Sequence, residues 1–370
     1  MANYIVQFPL RVEKYQKDIL EKRFSIGRDI YNSLLNRMNK RYKEMIKTKV
    51  YREILEEISQ AEGSKEKKNL YKRLETIRKE NGFNEYSFHK EVKEMQKYFK
   101  KNIDSFTAQK IATQVWRAFE KVMYGNGEKI HFKRVEDFKS LEGKSNGTGI
   151  RYIDGYIDWK GLRLKVLVDE NNHYEQEAMK SEIAYCRLVR KIVRERVKYY
   201  TQIVFKGVPP VNVDKRTGEY RERIGSGEVH IGIGKQYLFY KRENEDIKIV
   251  ELADRVYPLE LRRRELTGEL KKRERMGYSN GSIRYKRLRS KLMEVYRKQM
   301  AVRKYQHECL SNEILKLGDR LRIDRIEDIQ DKVYSLGKER MVKITTGGEI
   351  GQRAPVMLID MLERKLKYKE

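Results

Sequence analysis

EVHIGIGKQYLFYKRE, residues 228–243, is the stretch on which the fold turns. Apolar positions bracket Gly232 and Gly234, and beyond them aromatic residues alternate with polar ones, the period of a strand. It opens the last region of the chain. Residues 252–318, rich in charge, spell two long helices parted by a Gly/Ser/Asn turn. RLRIDRIEDI (321–329 with the preceding Arg320) reads as a strand entering a turn, and residues 345–370 as a loop and a helix with Pro355 near its start. Strand, helices, strand, helix is an α/β pattern, with few strands for a sheet of ordinary size.

Upstream, YIVQFPLRV alternates like a short strand that Pro9 pushes toward an edge or a bend. The period then changes. Leu20, Phe24, Gly27, Tyr31, Leu34, Met38 and Tyr42 step by fours and threes along one face of a long helix. Charged helical sequence continues to about residue 100, broken at AEGSKEKK and ENGFNEYSF. A further helix starts near Ser105, with Ala108, Ile111, Val115, Ala118 and Val122 as its stripe and Gln109, Lys110, Thr113 and Arg117 opposite; it ends at YGNGEK. From about 130 to 226 strands are expected: IHFKR, GLRLKVLVDE (Leu162, Leu164, Val166 and Val168 on one side) and YYTQIVFKGV, with a basic helix, AYCRLVRKIVRERV, among them. A strand, a helical insertion and more strands suggest a small β-barrel interrupted by a helical lobe.

The chain has 370 residues and a formal net charge of +28. Such a surplus steers a protein toward polyanions, with nucleic acid foremost. No apolar run of about 18 residues offers a membrane span, and the N-terminus does not read as a signal peptide. Two cysteines, Cys186 and Cys309, are too few for a disulfide framework or a cysteine-only zinc site and fit a reducing cytoplasm. The five histidines show no metal-ligand spacing, so no metal or cofactor is expected.

Between Leu261 and Lys298, 14 Lys/Arg face 4 Asp/Glu. On a helical hairpin that run makes a ridge able to track a phosphate backbone. Tyrosines beside cations, as in RVKYYTQ and SIRYKRLR, can stack on bases. Trp116 and Trp159 read as buried anchors. EYSFHKEV and SFTAQKIATQVWRAF combine hydroxyl, amide and basic side chains of the kind that read base edges; equally, Ser105 or Thr107 would cap the helix that follows.

Several segments together resemble the TnpB proteins of insertion sequences, RNA-guided ancestors of type V CRISPR effectors: WKGLRLKVLV, AYCRLVRKIVRERVKYYTQIVFKGVPP, RKQMAVRKYQHECLSNEILKLGDRLRIDRIEDIQ and GQRAPVMLIDMLERKLKY. The resemblance spans nearly the whole chain in one order. It implies an α+β multidomain protein: an OB-like wedge β-barrel (1–14 and 129–225) holding a helical recognition lobe (15–128), then a truncated RuvC-like, RNase H-like α/β domain (226–370). Active members cut DNA with an Asp-Glu-Asp set that holds two divalent metals. Here HIGIG places Gly232 at the first aspartate and LRIDRIEDI places Asp324 at the glutamate. The third aspartate, beyond a zinc ribbon in the family, is expected to be missing because the chain ends at Glu370. Glu228, Asp246 and Asp254 near the first strand and Glu327 and Asp328 near the second have no spacing that gathers them into a replacement site.

The resemblance therefore implies a nuclease-inactive, RNA-guided DNA-binding repressor, not an enzyme, with guide RNA and double-stranded DNA as partners, in the bacterial cytoplasm at the nucleoid. An active or partner-complemented endonuclease and an RNA-binding protein without a DNA target are the alternatives. Guide RNA is assigned to Arg187, Arg190, Lys191, Arg194, Arg196 and Lys198, and the heteroduplex to Lys271, Lys272, Arg273, Arg284, Lys286, Arg287 and Arg289. Reading of the target-adjacent motif is assigned to Tyr86, Ser87, Phe88, Thr107, Gln109, Lys110, Thr113 and Gln114.

Overall fold

The computed structural model describes residues 3–124, 129–194, 196–211, 224–234, 236–242, 245–278, 282–324 and 353–368. Over these the chain is α+β and divides into two compact units, the first built from residues 3–192 and 196–207 and the second mainly from residues beyond 207.

The first unit runs β1 (Asn3–Arg11), α1 (Lys14–Lys47), α2 (Lys49–Gln60), α3 (Ser64–Glu80), α4 (Glu85–Tyr98), α5 (Ser105–Met123), β2 (Ser140–Glu142), β3 (Arg151–Ile153), β4 (Tyr156–Trp159), β5 (Leu162–Val166), α6 (His173–Met179), β6 (Ile183–Val193) and β7 (Arg196–Lys206). Its strands form a curled antiparallel half-barrel in the order β2-β6-β7-β1-β5-β4-β3. β1 alternates cleanly, Tyr4, Val6, Phe8 and Leu10 facing the core. It lies inside the sheet rather than at the edge that Pro9 suggested. Pro9 sits where β1 changes partner, from β7 (Asn3–Pro9) to β5 (Leu10 and Arg11). Its carbonyl accepts from Leu167 N, so its hydrogen-free nitrogen falls on the side where pairing to β5 only begins.

The expected stripe of α1 is inside, apart from Tyr42, which is half-buried. In α5 the buried face is broader than expected, taking in Ala112, Thr113, Phe119 and Met123, while Ala118 and Val122 are only half-buried. The cap is Asp104 rather than Ser105 or Thr107. Its carboxylate accepts from the amides of Phe106 and Thr107 at 3.0 and 2.9 Å and from the Trp159 indole at 2.7 Å. Arg23 of α1 donates to the carbonyls of Trp159 and Lys160 at 2.7 and 2.9 Å, its guanidinium 4.6 Å over the indole. Helix α1, helix α5 and strand β4 are thus fastened through one carboxylate and one indole, and Trp159 is the buried anchor expected; Trp116 is half-buried against Phe88.

Two expected elements differ. AYCRLVRKIVRERV holds most of strand β6 and the first residues of β7, not a helix. Leu188, Val189, Ile192 and Val193 mimic helical spacing, but Cys186, Leu188 and Arg190 alternate inward, and β-branched residues prefer a ladder when partners lie on both sides. IHFKR forms no strand, because Asn32 of α1 satisfies the backbone instead, donating to Lys133 O and accepting from Lys133 N, each at 2.9 Å.

The second unit comprises β8 (Glu228–Ile233), β9 (Tyr237–Arg242), β10 (Lys248–Glu251), a 3-10 turn (Asp254–Val256), α7 (Tyr257–Arg275), α8 (Ile283–Leu317), β11 (Arg320–Asp324) and α9 (Pro355–Leu366). The sheet order is β10-β9-β8-β11, antiparallel except that β11 runs parallel to β8. Leu310, Ile314 and Leu315 of α8 and Leu358 and Leu362 of α9 bury one face of it, against Val229, Ile231, Ile233, Leu238 and Tyr240. Buried Arg353 holds the approach to α9 by donating to Ala253 O at 2.7 Å and pairing with Glu251 at 3.0 Å. The α7–α8 hairpin has its own core of Leu266, Leu270, Tyr285, Leu288, Leu292 and Val295.

Backbone meets backbone where α8 gives way to β11. Gly225 N donates to Leu315 O at 2.8 Å, and Asp319 N and Arg320 N both donate to Gly227 O at 3.1 Å. A Cβ at Gly318 would sit 2.4 Å from that carbonyl oxygen, and one at Gly225 2.2 Å from Lys316 O. Main chain cannot rotate aside as a side chain does. Gly318→Ala should therefore lower stability by about 1–3 kcal/mol, whereas Gly268→Ala in α7, with nothing within 4 Å, should raise it by up to about 1 kcal/mol. Thermal unfolding of the two variants checks the pair.

Candidate nucleic-acid interfaces

In the first unit, Asn84 caps α4 by accepting from Ser87 N at 2.9 Å. From that start, Tyr86, His89, Lys90 and Lys93 fall on one face. Tyr86 is 67% exposed, with the Lys90 ammonium 4.8 Å from its ring centroid. Next to this face lies α5. Thr113 Oγ1 donates to Glu85 at 2.6 Å and meets His89 Nε2 at 2.9 Å. One turn earlier on α5, Gln109 accepts from Lys144 at 3.4 Å, and Lys110 pairs with Glu142 at 3.2 Å, its ammonium 5.3 Å from the Tyr185 ring centroid.

Of the expected motif readers, Tyr86, Gln109 and Lys110 therefore belong to one aromatic, amide and basic surface. Three others do not. Phe88 is fully buried among Phe83, Trp116 and Phe119; Thr107 is buried and donates to Asp104 at 2.7 Å; Thr113 is buried between α4 and α5. Their positions on the helices turn them inward, so none presents an edge to a base. Ser87 is half-buried in the first turn of α4, and Gln114 accepts from Lys133 at 3.2 Å. Sequence reasoning passed over His89, Lys144 and Tyr185. His89 stood within EYSFHKEV, three residues beyond Tyr86, but was weighed only for metal spacing.

The outer face of the half-barrel carries a second set. Lys191 reaches Gln7 at 2.6 Å and lies 5.1 Å from the Tyr200 ring centroid; Arg187 pairs with Glu142 at 2.6 Å and reaches Gln202 at 3.2 Å; Arg163 lies 4.3 Å from Tyr156. Lys198 and Arg196 are exposed, and Arg194 holds the turn with φ 50°. Arg190 points the other way, into the core. It pairs with Glu21 at 2.6 Å, donates to the carbonyls of Val135 and Phe138, and is unavailable to RNA. Tyr199 is buried as well, its hydroxyl donating to Glu21; burial foremost, and that carboxylate, push its pKa up. Of this pair, Tyr200 is the half-buried ring, beside Lys191.

In the second unit the parallel register sets Asp324 opposite Gly232, so the two expected acid positions are neighbours on adjacent strands. Gly232 shares its sheet face with His230 and Glu228, which lie 3.3 Å apart, and with Phe239 and Lys241 across β9. Arg320 and Arg322 of β11 register with Glu228 and His230. Of the other acids, Asp254 accepts from Gln306 at the 3-10 turn, and Glu327 and Asp328 lie outside the described residues. Among the described residues no three His, Cys, Asp or Glu side chains are grouped to hold a metal ion.

On the hairpin, Lys271, Lys272, Arg284, Lys286 and Arg287 are exposed and Arg273 and Arg289 half-buried. None of the first five has an ion-pair partner among the described residues, in contrast to Arg297, which pairs with Glu294 at 2.7 Å and holds that carboxyl down at about 2. Unpaired cations along two helices concentrate positive potential on this hairpin. Tyr285, expected to stack, is buried and donates to Glu274 at 2.6 Å.

The two kinds of arginine and lysine separate by experiment. Arg190→Ala should unfold the protein at lower temperature, since it leaves the carbonyls of Val135 and Phe138 and the carboxylate of Glu21 without their donor, at a cost of about 1–3 kcal/mol. Lys198→Ala and Lys286→Ala should leave the melting temperature unchanged and lower the salt dependence of nucleic-acid binding, as loss of a phosphate contact does.

No described helix is long and apolar enough to cross a membrane. No protein-family model matches this chain, and no curated protein matches it either.

Proposed function

We propose that this chain is an RNA-guided, nuclease-inactive DNA-binding protein that recognises a short target-adjacent motif together with guide-complementary DNA and represses transcription. The observation that carries this reading is the register of β8 and β11. In that register Gly232 lies opposite Asp324 on adjacent strands, which supports a RuvC-like core with a glycine and an aspartate where the resembled family has aspartate and glutamate. Two-metal phosphodiester cleavage needs converging carboxylates to hold ions roughly 4 Å apart. Glycine offers no ligand, and the aspartate is a methylene shorter than glutamate.

Binding is supported separately. The hairpin cations have charge to spare for phosphates, the outer face of the half-barrel pairs lysine and arginine with tyrosine, and the α4–α5 surface mixes an aromatic, an amide and an ammonium. Such a protein holds the shape of a guide–target duplex while base pairing reads its sequence. Without cleavage the bound complex persists as an obstacle to polymerase.

Sequencing the RNA that co-purifies with the protein, followed by gel shift of complementary duplexes bearing every short flanking motif, tests the reading. The expected result is one enriched RNA species and a shift confined to a complementary duplex with a particular motif. Bound RNA with no shift of any such duplex contradicts DNA targeting. Gly232→Asp alone should confer no magnesium-dependent cutting.

A further inference from the structure

Resting on the DNA-binding reading above, we infer that His89 reads a base of the target-adjacent motif, presenting its Nδ1 as a fixed hydrogen-bond acceptor to an amino group in the major groove.

The assignment follows from proton bookkeeping around Thr113. A threonine hydroxyl has one proton, and an ionised carboxylate can only accept. Thr113 Oγ1 lies 2.6 Å from Glu85 Oε1, so its proton goes there. Its oxygen is then an acceptor toward His89 Nε2 at 2.9 Å, which places the ring proton on Nε2 and leaves a lone pair on Nδ1. Buried Thr113 cannot move off, so Glu85 and Thr113 act as positioning residues that hold both the tautomer and the ring plane.

His89 keeps 27% of its side-chain surface exposed. Among the described residues nothing bonds Nδ1, and it is not one of the buried polar atoms lacking a partner, so it meets solvent. Around it stand Tyr86, Gln109, Lys110 and Lys144. The cations suit phosphates on either side, and the aromatic and amide suit bases.

An acceptor in the major groove selects the amino group of adenine or cytosine; a donor suits the N7 or O6 of guanine, the O4 of thymine or the N7 of adenine, and rejects cytosine, whose polar group there is the amino alone. The charged groups facing the ring are Glu85 on its own helix, Lys110 on α5 and Lys144 after β2. Burial most of all, then the two lysines, hold the imidazole below its usual range against Glu85, so the neutral acceptor is the form present at neutral pH. Acid converts it to a donor and changes which base it suits.

The test uses full-length, guide-loaded protein and complementary duplexes with randomised flanks, sequenced before and after selection. Wild type should prefer adenine or cytosine at one flank position. His89→Phe should lose that preference by about fivefold or more with the salt dependence unchanged. Thr113→Val should do the same and Thr113→Ser should restore it. Wild type at pH about 5 should lose that preference, with guanine and thymine gaining and cytosine falling at that position. An unaltered motif in His89→Phe, or in wild type at acid pH, overturns the inference while leaving DNA binding intact. Absence of any motif-dependent binding by wild type overturns both. Should His89→Phe fail to fold, the pH comparison on wild type decides alone.

Discussion

The second unit is set by a contact with no side chain in it. At Gly318 and Gly227 the main chain of the α8–β11 corner lies against the main chain that opens β8, and one carbonyl, Gly227 O, takes the amides of both Asp319 and Arg320. That bifurcated bond fixes the register in which every residue of β11 faces its partner on β8, down to Asp324 beside Gly232. A slip of one residue would turn Leu321 and Ile323 to the opposite face of the sheet. The chemistry at the carboxyl end of these strands is thus decided at their amino end, by glycines that permit the approach.

The first unit solves a different problem, joining a long helix, a capped helix and a curled sheet. Asp104 and Trp159 do this with polar groups that satisfy one another in the interior, and Arg23 completes the set from α1. The same economy appears at Arg190, which links β6 to Glu21 and to two carbonyls. In a chain this basic, what matters for function is which cations are already used internally. Arg23, Arg78, Arg190 and Arg353 are buried and donate to carbonyls or carboxylates within their own units. Lys198, Lys271, Lys286 and Arg287 are not committed in this way, whereas Lys110 and Arg187 stand between the two kinds, near the surface yet both paired with Glu142.

Much of this was legible in local pattern. The three-four step of Leu20 to Met38, the alternation of Leu162, Leu164 and Val166, and the two long helices on either side of residues 279–281 follow from spacing, because burial of one face imposes that spacing whatever the partner. The errors occur where a distant residue decides. IHFKR looked like a strand until Asn32, a hundred residues away, took its backbone groups. AYCRLVRKIVRERV carries apolar residues at helical intervals, and only neighbours on both sides make it a strand. Arg190 and Lys191 are adjacent and chemically alike in sequence, yet the pleat sends one inward and the other to the surface. His89 was invisible as a functional candidate because its tautomer depends on Thr113 and Glu85, on two helices.

In the role proposed, this scaffold holds a guided duplex and does not cut it. The direct measurement is to load the protein with its co-purified RNA and incubate it with a supercoiled plasmid carrying the complementary target and motif, in magnesium. Target occupancy is followed by footprinting and strand integrity by gel. The expected result is a protected target on a plasmid that stays supercoiled. A guide- and magnesium-dependent nick or break that Asp324→Ala abolishes would contradict it.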